Sequence, residues 1–492
     1  MNDWTRRDWL RGTLGFCAAG AAGNLPAQEK QTADPKSKAV AAKKPKSVKP
    51  DEPAVPWPPE LPGAKNGTVA LHAASFLSIP LSVAEARAKE GAAAFTVAET
   101  PPEVELAYHR DLGPEASKRR LWSSWGDICI ARDGRAYAAI GDHGGDAEGD
   151  ARCFLYRWDP RDKTLTQIVD MNQVVVPRAG QPAWSKVHAK IDEGSDGKIY
   201  FSCTLNDGQR ARTPKYAWTE GLPGGQLYQF DPATGKASVF ANLPPKRCTA
   251  TSLLDRERNV WWCNLEAGES GDALWGLDLA TKQTKYQTAD GVVKFNRNFA
   301  LARDSSIYFN GEGGLRRFDP QTKESTLTKA QLASGPGMRC TAHESQAGWI
   351  YGITHQTHQL FRLSPVKDAI EMLGANWLAG SYTAVCALSP DERFLYYLPG
   401  SHGGAFKDGT PVVQYDVATR RRKVLAFLAE TLDQQCGYVP AGTYGMKVSA
   451  DGASLLVNFN GHPSDRQRPA SMKPNGFGLC AFAAIHIPPG ER

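Results

Sequence analysis

Several features that mark common protein classes are missing from this 492-residue chain. Its ten cysteines form no CxxC pair and no CxxCH motif, which excludes a thioredoxin-like redox site and covalent haem attachment. No glycine-rich dinucleotide fingerprint is present. Beyond the N-terminus, no run approaches the roughly 18 apolar residues of a membrane-spanning helix. We therefore predict no transmembrane segment.

Most of the chain also lacks an excess of charge of one sign. The formal net charge of +6 arises in residues 1–50, which hold 10 Lys/Arg against 4 Asp/Glu, while the remainder holds 48 of each. Nucleic-acid-binding domains usually carry a basic face. We therefore predict that the protein does not bind nucleic acid. Nothing in the sequence indicates an oligomeric state.

The basic N-terminus has the pattern of an export signal. Arg6 and Arg7, followed by a Gly/Ala-rich apolar stretch through Gly23, resemble a twin-arginine signal. We predict a signal peptide over residues 1–27 and export to the periplasm or the extracellular space. Residues 28–65 are rich in Lys, Pro and Ala, which predicts a disordered tether.

What the chain has instead is one unit repeated seven times across residues 125–492. Each copy reads as an apolar strand, a tight turn, a strand rich in Tyr and Trp, a loop, and a third strand that often ends in Asp-Pro. The turns stand at Asp133-Gly134, Asp196-Gly197, Arg256-Glu257, Asp304-Ser305, Ala347-Gly348, Asp391-Glu392 and Asp451-Gly452. Units of about 40–60 residues with several short strands are typical of propeller blades. We predict an all-β, seven-bladed β-propeller.

Residues 66–124 form a lead-in to the repeats. The seventh unit supplies only three strands before the chain ends, so ring closure needs one more. A strand given by the N-terminal segment would leave few exposed sheet edges. We predict that Val104–Leu112 is that closing strand.

Alignment of the units on their turns predicts which residues face one end of the central channel, here called the channel mouth. The start of each first strand lies there beside the loop that joins strands two and three, and loops on a rigid scaffold commonly carry function. The aligned first-strand positions are Trp125, His188, Cys248, Asn296, Arg339, Thr383 and Thr443. Six of the ten histidines map to this end, namely His143, His188, His355, His358, His402 and His462.

These residues suit three kinds of chemistry. Imidazoles from neighbouring blades bind divalent metals, and our candidate ligands for Zn²⁺, Mn²⁺ or Ca²⁺ are His143, His188, His402 and His462. A histidine also acts as a general base beside a substrate carboxylate, and our candidate catalytic residues are His188, Lys190, Arg339 and Tyr444. Third, aromatic side chains such as Trp125 line sugar-binding clefts that have no catalytic role.

Two segments of the repeat resemble sequences of a known group of proteins. DGKIYF at 196–201 and GGQLYQFDPATGK at 224–236 resemble exported bacterial β-propellers of the streptogramin lyase and gluconolactonase/regucalcin group. The resemblance implies the fold, and within that group it implies metal-assisted elimination or lactone hydrolysis. Neither active-site pattern matches residue by residue, so no catalytic role transfers.

We therefore expect an exported metal-dependent lyase or hydrolase that acts on a carbohydrate or lactone-like substrate. The alternative is a non-catalytic propeller that binds a glycan or a protein through the same end of the channel. A quinone- or metal-dependent oxidoreductase is a third possibility, because twin-arginine export carries proteins that fold around a cofactor. The expected ligand in the first two cases is a small molecule or a glycan.

Overall fold

The structure is a computed structural model. It describes residues 56–492 except 90, 114–115, 117–120, 143–150, 179–180, 182, 205–223, 267–270, 295–296, 333–336 and 469–475. All described residues lie in one compact unit, Ala54–Arg492. The predicted signal peptide and most of the predicted tether lie outside the described residues. Leu61 is buried and Trp57 Nε1 donates a hydrogen bond to the carbonyl of Gly478, so the chain contacts its C-terminal part before residue 66.

The described strands form seven small sheets arranged as the seven blades of a β-propeller, as predicted. The lead-in provides β1 (Thr68–His72), β2 (Thr96–Val97) and β3 (Glu103–Tyr108). Blade 1 contains β4 (Cys129–Ile130), β5 (Ala136–Gly141), β6 (Cys153–Asp159) and β7 (Thr164–Asp170). Blade 2 contains β8 (Lys186–Val187), β9 (Asp192–Glu193), β10 (Ile199–Thr204), β11 (Gln226–Asp231) and β12 (Lys236–Asn242). Blade 3 contains β13 (Ser252–Asp255), β14 (Val260–Leu265), β15 (Ala273–Asp278) and β16 (Thr284–Gln287).

The remaining blades follow in chain order. Blade 4 contains β17 (Phe299–Leu301), β18 (Ile307–Gly311), β19 (Gly314–Asp319) and β20 (Glu324–Leu327). Blade 5 contains β21 (Met338–Glu344), β22 (Ile350–Thr354), β23 (Gln359–Ser364) and β24 (Ala369–Ala375). Blade 6 contains β25 (Cys386–Leu388), β26 (Phe394–Tyr397), β27 (Pro411–Asp416) and β28 (Arg422–Phe427). Blade 7 contains β29 (Tyr438–Val448), β30 (Ser454–Pro463) and β31 (Leu479–His486).

Helices are few and short in the described part of the chain. They are α1 (Leu81–Arg87), α2 (Met171–Val174) and α3 (Ala429–Cys436), with 3₁₀ turns at Ala74–Leu77, Ala405–Asp408 and Pro489–Glu491. None of these helices is long and apolar enough to cross a membrane. The nine described cysteines are buried and form no disulfide with one another, and seven of them lie in β-strands, where a cysteine commonly packs as a small apolar side chain.

An aspartate side chain sets the tight turn between strands one and two in most blades. Its carboxylate accepts a hydrogen bond from the backbone N–H two residues later, an Asx-turn that reverses the chain. The pairs are Asp133 with Arg135, Asp196 with Lys198, Asp304 with Ser306, Asp391 with Arg393, and Asp451 with Ala453. The residue between them takes a positive φ, which explains the repeated Asp-Gly. The Asp-Gly pattern from which we predicted the blades therefore follows from the backbone conformation of these turns.

The lead-in closes the ring. β3 pairs antiparallel with β31, with Val104 opposite Ile485 and Leu106 opposite Ala483. β1 then pairs with β3 and forms the outer edge of the same sheet. The predicted closing strand is thus confirmed, although it is shorter than expected and ends at Tyr108. β2 adds a further strand, parallel to β28 of blade 6, which the sequence did not indicate.

We predict that the closing strand is a main source of stability. Leu106 is fully buried within the cluster that packs blades 6 and 7 together. Leu106→Ala should lower the free energy of unfolding by about 2–5 kcal/mol, because the substitution leaves a cavity. Urea unfolding followed by tryptophan fluorescence measures the change.

Leu327→Ala is the matched control, because Leu327 lies in the outer strand of blade 4 and is 50% exposed. Its cost should stay within about 0.5 kcal/mol. Equal unfolding midpoints for the two variants would contradict the role assigned to the closing strand.

Candidate functional site

The first strands of all seven blades surround a central cavity of about 510 Å³. First strands of neighbouring blades contact one another in ring order, so each blade contributes a short stretch of wall. The wall residues fall into two groups, an aromatic and basic group at the channel mouth and a charged group deeper in the channel.

Trp125 is the centre of the aromatic group. Its ring is stacked near that of His188 (centroids 6.1 Å apart, 14° between planes) and near that of Phe477 (5.6 Å, 22°). The rings of Tyr444 and His402 lie 4.9 Å and 5.7 Å away. Trp125 therefore lies between the two histidines in a cluster of aromatic rings, and Lys186 Nζ lies 5.1 Å from its ring centre.

Arg339 is the buried cation of the channel mouth. It is 4% exposed, and its guanidinium donates hydrogen bonds to the Tyr382 hydroxyl and, at 3.2 Å, to the carbonyl of Ala384. The Tyr382 and Tyr444 rings lie beneath it at 5.1 Å and 5.5 Å. Burial disfavours its charge, but the two tyrosine oxygens favour it, and the pKa of Arg339 is raised above its usual range. Among the described residues it makes no ion pair with a carboxylate.

A second arginine and a neutral histidine face the same space. Arg297 lines the cavity, and no hydrogen bond or ion pair joins it to another described residue. His188 Nδ1 lies 2.8 Å from the carbonyl oxygen of Ala250. Because a carbonyl only accepts, Nδ1 carries the proton and Nε2 presents its lone pair. Burial, then Arg297 and Lys186, hold the pKa of His188 well below its usual value.

His402 and Tyr444 form a hydrogen-bonded pair across the mouth. His402 Nδ1 lies 2.7 Å from the Tyr444 hydroxyl. Burial, then Arg339 and Arg297, lower the pKa of His402, and burial raises the pKa of Tyr444. Both groups are therefore uncharged near neutral pH. A neutral histidine and a neutral tyrosine suit proton transfer to and from a bound ligand.

Backbone bulges bring Arg339 and Tyr444 to the cavity. The β21–β22 register shifts between Met338 and Cys340, and the β29–β30 register shifts between Thr443 and Gly445. An extra residue in one strand re-aims a side chain that simple alternation would place elsewhere. The alignment placed Thr443 at the mouth, but the bulge presents Tyr444 there instead. Thr383, which the alignment also placed there, is fully buried, and the β25–β26 pairing has no register shift. Thr443 is fully buried and lies 2.9 Å from the carbonyls of Gly445 and Asn458.

The sequence did not single out Tyr382, Arg297 or Phe477. Tyr382 is adjacent to the aligned Thr383, and its ring lies near those of His355, His358 and His402. Arg297 is likewise adjacent to the aligned Asn296, so a search of neighbouring positions would have found both. Phe477 comes from the loop before β31 and carried no signal. His355 and His358 thus do reach the mouth, where burial lowers the pKa of His355 to about 4.

The deeper group contains Lys190 and Asp192 of blade 2, Asp127 of blade 1 and Lys447 of blade 7. Lys447 Nζ donates to Asp127, whose carboxylate also accepts the backbone N–H groups of Ile128 and Met446. Burial raises the pKa of Asp192 to about 6. Burial and then Lys447 lower the pKa of Lys190. Lys190, one of our candidate catalytic residues, therefore belongs with Asp127, Asp192 and Lys447 and not with Arg339.

The four predicted metal ligands do not come together among the described residues. His143 lies outside them. His462 is buried against Phe406, with Nδ1 2.9 Å from the carbonyl of Pro463. In the described part of the chain, one group of three His, Cys, Asp or Glu side chains has its ligand atoms within 4.8 Å of one another, and it contains none of the four. A metal held at the mouth stays a prediction.

Comparisons with known proteins concern the fold alone. No protein-family model and no curated protein matches the sequence. Similar solved structures include a chain of a mitotic checkpoint complex (8% identity, TM-score 0.49, 80% of this chain and 92% of that one). They also include U3-55K (9%, 0.47, 78% and 98%) and the WD40 repeats of RRP9 (10%, 0.48, 78% and 97%). The resemblance to the streptogramin lyase group stays a prediction, and the chain is a seven-bladed β-propeller.

Proposed function

We propose that the channel mouth binds a small carbohydrate that bears a carboxylate, and cleaves it by elimination. The observation that supports this most is Arg339, a buried cation without a carboxylate partner among the described residues. A buried unpaired charge is expensive to maintain, so such a group is typical of a site that a ligand of opposite charge completes. Arg297 faces the same space and adds a second positive charge.

The ligand needs a ring as well as a charge. Trp125, Tyr444 and Phe477 provide flat surfaces beside the two arginines. A uronic acid combines a sugar ring with a carboxylate on the adjacent carbon, and it fits both requirements. Bidentate binding by a guanidinium would fix the carboxylate and reduce the cost of charge that develops beside it.

His188 is the proposed base. Its Nε2 carries the lone pair, since Nδ1 donates to Ala250, and its lowered pKa keeps it neutral. It would take the proton from the carbon next to the carboxylate. The electron pair of that C–H bond becomes a C=C bond as the neighbouring C–O bond breaks. Tyr444, paired with His402, is the proposed acid that protonates the leaving oxygen.

The first test of this proposal is carboxylate recognition. Arg339→Met should weaken the binding of a digalacturonate by about 10- to 100-fold, because a charge-assisted hydrogen bond is lost. Isothermal titration calorimetry measures the affinity. Arg393→Met is the control, since Arg393 is on an exposed turn of blade 6 and pairs with Asp416. Equal affinity for the matching neutral disaccharide would contradict carboxylate recognition.

The second test is turnover. His188→Gln should bind the uronate but lose at least about 100-fold in rate, the usual contribution of a general base. Absorbance of the new conjugated double bond follows the reaction. Because His188 acts in its neutral form and its pKa is lowered, the wild-type rate should persist below pH 6.5 and fall only at more acidic pH.

The same assay separates the alternatives. Binding without a double bond from any uronate would favour a non-catalytic binding propeller. Loss of turnover after chelation, and recovery with Zn²⁺ or Mn²⁺, would favour the metal-dependent lyase or hydrolase. A rate that is insensitive to chelators but sensitive to His188 supports the proposed base.

Export is part of the proposal and has its own test. Residues 1–27 fused to a reporter should direct it out of the bacterial cytoplasm, and replacement of both Arg6 and Arg7 by Lys should retain it there. Fractionation of cells measures the distribution. Equal export of the two fusions would contradict a twin-arginine signal.

A further inference from the structure

A row of ionisable side chains crosses the closing blade, away from the channel mouth. In the strand register, His72 of β1 lies opposite Glu103 of β3, and Glu103 lies opposite His486 of β31. Glu105, two residues after Glu103, shares its face of the sheet. Directly opposite residues also share a face, so the four side chains point to the same side.

The distances suit a common ligand. The three side chains Glu103, Glu105 and His486 have ligand atoms within 4.8 Å of one another. His486 Nε2 lies 3.3 Å from Glu105, and His72 Nε2 lies 3.5 Å from Glu103. Tetrahedral zinc with bonds of about 2.0–2.1 Å holds its ligand atoms about 3.3–3.4 Å apart. The two measured separations are therefore close to the edge of a zinc tetrahedron, and His72 reaches the other three ligands through Glu103.

The surroundings prepare these side chains for a cation. His486 Nδ1 lies 2.8 Å from the Ser454 hydroxyl, which holds the ring with Nε2 towards Glu105. Glu105 is only 2% exposed, so its carboxylate cannot rely on water for stabilisation. A groove of about 820 Å³ reaches Glu103, Glu105 and His486 and gives a path for entry.

Lys163 is the one competitor among the described residues. Its ammonium contacts Glu105 and lies 3.9 Å from Glu103. The Lys163 side chain is 53% exposed, and it can withdraw into water when a divalent cation takes its place.

We propose that Glu103, Glu105, His486 and His72 bind a zinc ion that joins the first and last strands of the propeller. The ligands come from β1, β3 and β31, so the ion would cross-link the N-terminal and C-terminal contributions to blade 7. A ligand that binds the folded protein alone stabilises it by mass action. This site is independent of the channel mouth and of the function proposed for it.

The test uses the untagged full-length chain after treatment with a chelator. Titration with zinc chloride, followed by desalting and elemental analysis, should give one tightly held zinc per chain. At a zinc concentration one hundred times Kd, the melting temperature should rise by roughly 3 °C. Glu103→Gln and His486→Gln should each weaken zinc binding at least tenfold. Two further variants distinguish the loss of a zinc ligand from misfolding of the chain.

Lys163→Met should strengthen zinc binding, because the competing ammonium is removed. Glu257→Gln, at an exposed turn of blade 3, should bind zinc like the wild type. The proposal fails if the wild type binds no zinc, because the four side chains would then form only a network of ion pairs. It also fails if zinc survives Glu103→Gln and His486→Gln but is lost with His402→Ala, since the ion would then lie at the mouth.

Discussion

The pairing of β3 with β31 is the interaction on which the rest of the structure depends. Each blade buries its faces against two neighbours, so an open ring would expose the faces of blades 7 and 1 and an unpaired strand edge. Blade 7 receives its outer strands from the start of the folded chain and its inner strands from the end. The central cavity exists only when this pairing holds, because its wall contains one first strand from every blade.

Charge is arranged differently at the two depths of that cavity. In the deeper group Lys447 is paired with Asp127, and Lys190 and Asp192 lie close enough to shift each other's pKa. At the mouth, Arg339 is buried among tyrosine rings and carbonyl groups without a carboxylate in the described residues. A buried charge with a partner of opposite sign costs less than one without, and a ligand of opposite charge can offset the cost of the second kind. This contrast is the main reason to place ligand binding at the mouth.

The two bulges connect the scaffold to that chemistry. A regular strand would alternate side chains between the two faces of its blade, and the position before or after Arg339 or Tyr444 would then face the channel. The register shifts in β21 and β29 present these larger side chains to the cavity instead.

The amino-acid sequence by itself determined the blade count and the turns, because these depend on residues that are close together along the chain. An Asp whose carboxylate accepts the backbone N–H two residues later acts in the same way in five of the seven blades, so the repeat is readable without tertiary structure. The fourth strand of blade 7 could be predicted from the N-terminal segment because the seventh unit supplies only three strands before the chain ends. The predicted role of His188 at the mouth also rested on its place in the repeat.

Tertiary structure alone decided which side chains meet. Tyr382, Arg297 and Phe477 precede the first described strand residues of three separate segments, and their place at the mouth follows from how those segments pack against other blades. The row of His72, Glu103 and His486 joins residues more than four hundred positions apart through strand register. Contacts of this kind follow from the pairing of distant strands. Burial between all the blades stabilises that pairing, so no single segment of the sequence predicts it.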